Sequence, residues 1–470
     1  MKKKFATWQL VVSLILVALL TSGGSYIYFN HQYQINRKEV AGTNDDLAPI
    51  SDLYARILKD YVGNVESKTL IDGALSGMTQ AIGDPYSTYL PEDQAQDLED
   101  SLASSIEGIG ASLTIIDEKP QIAQAPIKGT PAEKAGLKAG DLILKVDGTD
   151  VTKKTLDEIV ALVRGEKGSE VTLDLERDGK AFSVTVTRDT IPVASVNAKM
   201  QTDDVGYLNI TSFSENTAAE FQEQISFLRE SGAMKFIFDV RQNPGGLLDQ
   251  VVQMGSMVLT DGETIVKWEN KDGEKFQNTA SSDLDNGFKV TEPVTVLVDS
   301  GSASAAEIFA GAIKDNQRGK IIGTTTYGKG TMQDVEGLGD EKLKLTTGKW
   351  YTPNGTWVNE VGLAPDEEIS YPDYAYMAPL TGEQELTIGS TESSVKAIKV
   401  LMNGLGYSLE ETETFDAPLE DALKDFQEKN NLTVSGTWNV ETANSLQTQL
   451  IEQLNSHDPF MEKALEILGE

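Results

Sequence analysis

The residues best suited to chemistry lie in two glycine-bearing stretches. Gly301-Ser302-Ala303-Ser304-Ala305-Ala306-Glu307 falls between an apolar run, Val294–Val298, and a helical pattern over Ala305–Lys314. A serine at a strand-to-helix turn exposes its hydroxyl. The first N–H groups of the helix then point at any oxyanion that forms there. Ser302 and Ser304 both qualify, and either can instead simply cap the helix. Lys329 lies between glycines in Thr326-Tyr327-Gly328-Lys329-Gly330-Thr331. A lysine amine can take a serine proton once desolvation or a nearby cation lowers its pKa, and flanking glycines let backbone and substrate approach closely. If the chain beyond Lys329 is extended, Gln333 shares its side by parity and can orient the amine through a hydrogen bond.

Composition narrows the alternatives. The chain has 470 residues, no cysteine and two histidines, His31 and His457. No disulfide, cysteine nucleophile or thiolate metal site can form, and the histidines suit neither a Ser-His-Asp triad nor a three-His metal centre. Hydrolytic chemistry here needs a base other than histidine, and the Ser–Lys reading calls for no metal or cofactor. The net charge of −33 repels phosphate backbones and argues against nucleic acid as a partner.

The elements that must position these residues follow from pattern. Apolar spacing from Pro49 to Ile82 is helical, and Asp84-Pro85-Tyr86 ends it. A β-rich stretch covers roughly residues 105–190, with alternating runs at Val171–Leu175 and Phe182–Val186 around Asp178-Gly179 predicting a hairpin. From 205 to 370 strands alternate with helices. Val205–Ile210 precedes a helix near Ala218–Glu230, and Phe236–Val240 runs into Asn243-Pro244-Gly245-Gly246. That alternation predicts an α/β core. A connector at 371–385 leads to a mostly helical portion, and residues 381–470 carry 17 acidic and 5 basic side chains.

At the N-terminus, Lys2, Lys3 and Lys4 precede an uncharged stretch, with Trp8 at one end of its apolar part and Tyr26 and Tyr28 at the other. About 20 apolar residues suffice to span a bilayer. The lysine flank predicts an N-terminus inside and the rest of the chain outside. Ser22-Gly23-Gly24-Ser25 offers small residues for a cleaved signal peptide instead, but no Ala-x-Ala is present.

Together, GSASAAEIFAG at 301–311 and TYGKGTMQ at 326–333 resemble the carboxyl-terminal processing peptidases, or tail-specific proteases. The resemblance implies a serine–lysine dyad supported by glutamine. In that family the serine precedes the lysine by twenty-five residues, which selects Ser304 as nucleophile, Lys329 as general base and Gln333 as orienting residue. Asp239-Val240-Arg241-Gln242-Asn243-Pro244-Gly245-Gly246 is similar to the family's oxyanion element. It implies an oxyanion hole from Gly245 or Gly246 with Ala305. A second serine often found in the motif is Ala306 here. Thr130–Asp141 with Leu142–Val146 resembles the helix, turn and strand of a PDZ domain, and Gly108, Ile109, Gly110 and Ala111 resemble its carboxylate-binding loop. Successive N–H groups in such a loop hold a terminal carboxylate while the peptide extends a sheet edge. Arg164 either ties this domain to the core or sits solvated in its loop. Residues from Ser394 through Leu446, with Gly406-Tyr407 and Phe426-Gln427, resemble a three-helix peptidoglycan-binding domain.

The expected chain is therefore multidomain α+β: an N-terminal transmembrane helix, a β-rich PDZ domain, an α/β serine peptidase core and a small helical C-terminal domain. Its expected divisions are anchor 1–30, linker 31–48, N-terminal helical part 49–95, PDZ 96–190, core 191–375, peptidoglycan-binding-like 386–452 and acidic tail 453–470. The expected function is a membrane-anchored serine endopeptidase that takes the free C-termini of extracytoplasmic proteins. Its expected partners are the cytoplasmic membrane, through residues 8–29, and peptidoglycan, with oligomerisation left open. The alternatives are an inert PDZ and wall-binding adaptor, or a cell-wall amidase.

Overall fold

The computed structural model describes residues 44–116 and 119–469. The sequence-expected membrane helix at 8–29 lies outside the described residues, and among the described residues no helix is long and apolar enough to cross a membrane. Two compact units divide at Pro91. The first holds helices α1 (Asn44–Asp60) and α2 (Ser67–Gln80) and a short strand, β1 (Thr88–Leu90). Pro49, where the pattern suggested that helix begins, lies inside α1, so α1 takes up the end of the expected linker. Tyr54 and Ser67 hydroxyls meet at 2.6 Å, and the Tyr89 hydroxyl donates to Asp72 at 2.8 Å.

The second unit opens with α3 (Glu92–Leu102). Strands β2 (Ser105–Gly108), β3 (Leu113–Ile116), β4 (Lys119–Ile122), β5 (Leu142–Val146), β6 (Thr149–Asp150), β7 (Glu170–Arg177), β8 (Lys180–Thr187) and β9 (Asp189–Pro192) follow, with α4 (Pro131–Lys134) and α5 (Leu156–Val163) between them. β2 and β9 pair antiparallel, Ser105 opposite Pro192, and form a neck where the chain enters and leaves this module. Above the neck the sheet order is β3-β4-β5-β7-β8, with β6 on β5, so β3 is an edge strand. The predicted hairpin is β7–β8. Its turn residues Asp178 and Gly179 have φ of 51° and 73°, the left-handed pair that a tight two-residue connection requires.

The peptidase core comprises β10 (Val196–Met200), β11 (Val205–Ile210), α6 (Thr217–Glu230), β12 (Lys235–Asp239), α7 (Leu248–Val258), β13 (Thr264–Asn270), β14 (Lys275–Thr279), α8 (Ser282–Asp285), β15 (Val294–Val298), α9 (Ala305–Asp315), β16 (Gly319–Gly323), β17 (Thr331–Leu338), β18 (Glu341–Tyr351) and β19 (Glu367–Glu368). The main sheet runs β10-β11-β12-β15-β16-β19, and all its pairs after β10–β11 are parallel. Spatial order follows chain order. Right-handed crossovers in a sheet wound one way put every connecting helix on the same face. Leu208, Phe236, Phe238, Val296 and Ile321 accordingly pack into one cluster with Phe221 of α6, Met254 of α7 and Phe309 of α9.

The opposite face, with Val205, Ile237, Leu297 and Ile322, needs another cover. After the helical module, α10 (Ser393–Gly404), α11 (Ala417–Lys429) and α12 (Val440–Ser456), comes α13 (Pro459–Leu468). Phe460, Met461 and Ala464 of α13 complete the cluster on that face. The segment expected as an acidic tail at 453–470 thus contains a packed helix. The helical module keeps its own core, including Val395, Ile398, Leu423, Phe426, Trp438 and Leu446.

Candidate active site

Ser304 is the last residue before α9 and has φ of 54° and ψ of −113°. An L residue adopts that conformation only when its surroundings impose it. Its backbone N–H donates to Glu307 Oε2 at 2.8 Å. Ser302, the other sequence candidate, is fully buried. Its hydroxyl donates to the Val240 carbonyl at 2.7 Å and accepts from the Asp299 N–H at 3.0 Å. Ser302 therefore serves the turn, while Ser304 is only partly buried.

Glu307 is the residue whose part the sequence reading missed. Its carboxylate is fully buried and accepts four hydrogen bonds. Oε1 accepts from the Thr326 hydroxyl at 2.5 Å and the Gly328 N–H at 2.8 Å, and Oε2 accepts from the Ser304 N–H and, at 2.9 Å, the Lys329 N–H. The serine turn and the lysine loop thus share one acceptor atom. The available signal was Ser304-x-x-Glu307, the spacing of a capping box. Tyr327 N–H donates to the Ser302 carbonyl at 3.0 Å and joins the same loops again.

Lys329 is half-buried in the loop just before β17. Gln333 lies on β17, opposite Thr346 of β18. Its amide nitrogen donates to the hydroxyls of Thr331 and Thr346 at 3.0 and 3.1 Å. Thr331 and Gln333 therefore share a face, while Lys329, which the parity argument set on that side, precedes the strand.

The Asn243–Gly246 loop meets the serine turn from β12. Asn243 is fully buried; its side-chain amide nitrogen donates to the Ile210 carbonyl at 2.8 Å and its backbone carbonyl accepts from the Ala303 N–H at 2.9 Å. A Cβ on Gly245, at φ 102°, would lie 2.8 Å from Ser304 Cβ and 3.0 Å from the Ala305 nitrogen. Only glycine allows that approach. The Gly245 N–H donates to Asn243 Oδ1 at 2.8 Å. Gly246 bridges to Phe213 through its neighbours: Phe213 N–H donates to the Gly245 carbonyl and Leu247 N–H to the Phe213 carbonyl. That pattern does not use the Gly246 N–H.

Upstream, the Arg241 guanidinium sits between Asp239 and Asp458, with its closest contacts at 2.6 and 2.8 Å. Burial alone would lower its pKa, but the two carboxylates outweigh burial and hold it above its ordinary value. Tyr207 donates to Asp239 at 2.8 Å, and burial followed by that carboxylate pushes its phenol upward.

In the β-rich module, Gly108 and Ile109 are buried. Gly110, at φ 79°, presses so closely on Thr130 that a Cβ would lie 2.5 Å from Thr130 Cβ. The Ile109 and Gly110 carbonyls accept from Ala132 and Ile127 N–H groups at 2.8 and 3.1 Å. Ala111 leads directly to β3. Arg164, at the end of α5, pairs with Asp100 of α3 at 2.8 Å. One residue earlier on α3, Glu99 pairs with Lys342 of β18 at 2.6 Å.

The sequence matches Peptidase family S41 over residues 204–369 and a PDZ domain over 122–177. It also matches the N-terminal domain of the activating protease CtpB over 19–94 and a peptidoglycan binding domain over 391–446. It is 36% identical over 458 residues to the carboxy-terminal processing protease CtpA of Bacillus subtilis, covering 97% of each chain. This chain belongs to peptidase family S41. A CtpA-like serine protease of Staphylococcus aureus is 34% identical, over 98% of this chain and 92% of its own. Among solved structures, the photosystem II D1 C-terminal processing protease matches at 29% identity and a TM-score of 0.40, over 68% of this chain and 86% of its own. The S41 enzyme is a carboxy-terminal processing serine peptidase that carries PDZ and peptidoglycan-binding domains.

Proposed function

We propose that Ser304 is the nucleophile of this peptidase, Lys329 its general base and Gln333 the residue that orients the lysine. The observation that carries the reading is the buried Glu307 carboxylate, which holds the Ser304 and Lys329 backbones on one oxygen. Ser304 Oγ attacks the scissile carbonyl while the neutral amine of Lys329 takes its proton. The oxyanion is received by N–H groups of Ala305 and the glycine loop, each donor worth on the order of 3 kcal/mol. Of the two glycines, Gly246 is the better donor because the Gly245 N–H already serves Asn243. The intermediate collapses, the C–N bond breaks, and Lys329 gives its proton to the leaving amine. Water then attacks the acyl-enzyme and yields its proton to Lys329; the bond from the acyl carbon to Ser304 Oγ breaks as Lys329 passes that proton to Oγ, releasing the product acid. Gln333 spends its amide nitrogen on two threonines, and its oxygen is then the atom that accepts from Lys329.

In the same reading, the loop Gly108–Ala111 takes the substrate's terminal carboxylate and the edge strand β3 takes its backbone. Occupancy of that groove reaches the site through Arg164–Asp100, α3, Glu99–Lys342 and then β18, which pairs with the strand carrying Gln333. The enzyme is anchored by residues 8–29, faces outward from the cytoplasmic membrane, and docks on peptidoglycan through 391–446.

Cleavage of an unfolded protein with an apolar C-terminus tests the site. Ser304→Ala and Lys329→Ala should each lower turnover by about 10³-fold or more with the fold intact. Full activity of either variant would refute its assigned role. Labelling by a fluorophosphonate probe should vanish with Ser304→Ala. Release of soluble wall fragments would instead favour an amidase.

A further inference from the structure

The covering of the second sheet face bears on the chemistry as well as on the packing. Asp239, Tyr207 and the hydrophobic Val205 and Ile237 share strand parity on β11 and β12, so the Asp239–Arg241 pair lies on the side that α13 covers. Asp458 caps α13, its Oδ1 accepting from the Phe460 and Met461 N–H groups at 3.0 and 3.3 Å. The same carboxylate receives the Arg241 guanidinium at 3.1 and 2.8 Å. The guanidinium carbon stands 4.9 Å from the Phe460 ring centroid, and Arg241 also donates to the Tyr371 hydroxyl at 3.0 Å. Tyr371 in turn packs on Phe460 with ring centroids 4.9 Å apart. Arg241 is thereby fixed from below by β12 and from above by α13.

Beyond Arg241 the chain has little freedom left. Gln242 has φ of 56°, and its N–H and side-chain amide both donate to Asp299, at 2.9 and 2.7 Å. Asn243 then anchors the glycine pair that faces Ser304. We propose that α13 is a strap on the peptidase site, with Asp458 a positioning residue that holds Arg241 and, through it, the Asn243–Gly246 loop in its working geometry. The strap lies beyond the 391–446 module in sequence, so the module is joined to the core on both sides: by the connector carrying Tyr371, and by α13. The proposal rests on the reading of that loop as part of the oxyanion hole. It adds that a residue more than two hundred positions away sets the loop's geometry.

Asp458→Asn separates the two roles of the carboxylate, since asparagine caps a helix as well as aspartate does but replaces the charged two-oxygen pair with the guanidinium by at most one neutral hydrogen bond. With the full chain and casein as substrate, kcat should fall about 5- to 50-fold, the scale of a sub-ångström misplacement. KM should stay within about twofold. Fluorophosphonate labelling should slow in parallel, and Asp458→Glu should recover part of the rate. A folded Asp458→Asn enzyme with unchanged kcat, or with its loss entirely in KM, would overturn the proposal. Should that variant melt below the assay temperature, Asp458→Glu decides instead: its longer side chain must lower kcat at constant KM, and wild-type kcat refutes the strap. Ser304→Ala in the same assay keeps the two readings apart. If it cleaves, the site assignment fails; if it is dead while Asp458→Asn is normal, only the strap fails.

Discussion

At Ser304, backbone strain and hydrogen bonding work together. A left-handed φ on an L residue costs about 1–3 kcal/mol, and the four bonds to Glu307 are what hold the turn there. Glu307→Gln replaces one acceptor oxygen by a donor that faces N–H groups. It should reduce turnover strongly and lower stability by about 1–3 kcal/mol, measured by casein cleavage and by urea denaturation. Gly246→Ala is expected to be worse, because at φ 145° its Cβ would fall on the Phe213 carbonyl. Soluble expression together with loss of labelling checks that. Both Ser302 and Ser304 were visible in the sequence, and the twenty-five-residue spacing chose between them. The structure supplies an independent reason, since the Ser302 hydroxyl is consumed by the backbone. Glu307 was hidden because its value depends on a loop twenty residues away that folds back over it.

Elements with strong local periodicity were the easiest to read. The β7–β8 hairpin and, in the core, β11, α6, β12, β15 and α9 lie within a few residues of where alternation and helical spacing put them, whereas α7, β13, β14, β17 and β18 were not read. The helix α13 was not legible, because Phe460, Met461 and Ala464 form a short stripe in an acidic stretch. That stripe acquires meaning only against a sheet face that chain-ordered winding leaves bare. Within the PDZ module, the Asp141 carboxylate is buried and accepts from Arg177 at 2.5 Å. Burial works to raise its pKa, but the Arg177 hydrogen bonds, a backbone N–H and the nearby charge hold it below the ordinary value. A carboxyl depressed in the folded state contributes stability that is present above about pH 4 and is lost as pH falls through its lowered folded value. The PDZ unfolding transition should therefore drop in temperature as the pH falls below about 4. Asp141→Asn should lower it at pH 7 and flatten that acid slope, as followed by calorimetry.

Across the whole molecule, the second unit's stability is divided among hydrophobic clusters in the PDZ module, in the helical module and on the two faces of the peptidase sheet. The core alone borrows a cover from a distant part of the chain. Phe460→Ala should destabilise the peptidase core by about 3–5 kcal/mol and leave the PDZ transition in place. Calorimetry should show one transition moving while the other stays. Lys399 tests the helical module's cluster: it is fully buried, and its amine donates to Thr412 and Asp416 at 2.8 and 2.7 Å. Lys399→Ala removes a fully buried side chain together with its two hydrogen bonds and should cost the helical module about 2–3 kcal/mol.

The covering helix also imposes an order in time. Ribosomal synthesis delivers β11, β12, β15 and β16 early, then the entire helical module, and only afterwards the residues of α13. Until those emerge, one face of the sheet lacks the Phe460, Met461 and Ala464 that cover Ile237, Leu297 and Ile322, and Arg241 has one carboxylate instead of two. With α13 as the strap proposed above, a nascent chain cannot complete its site until that helix has been made, a delay written into the order of the residues.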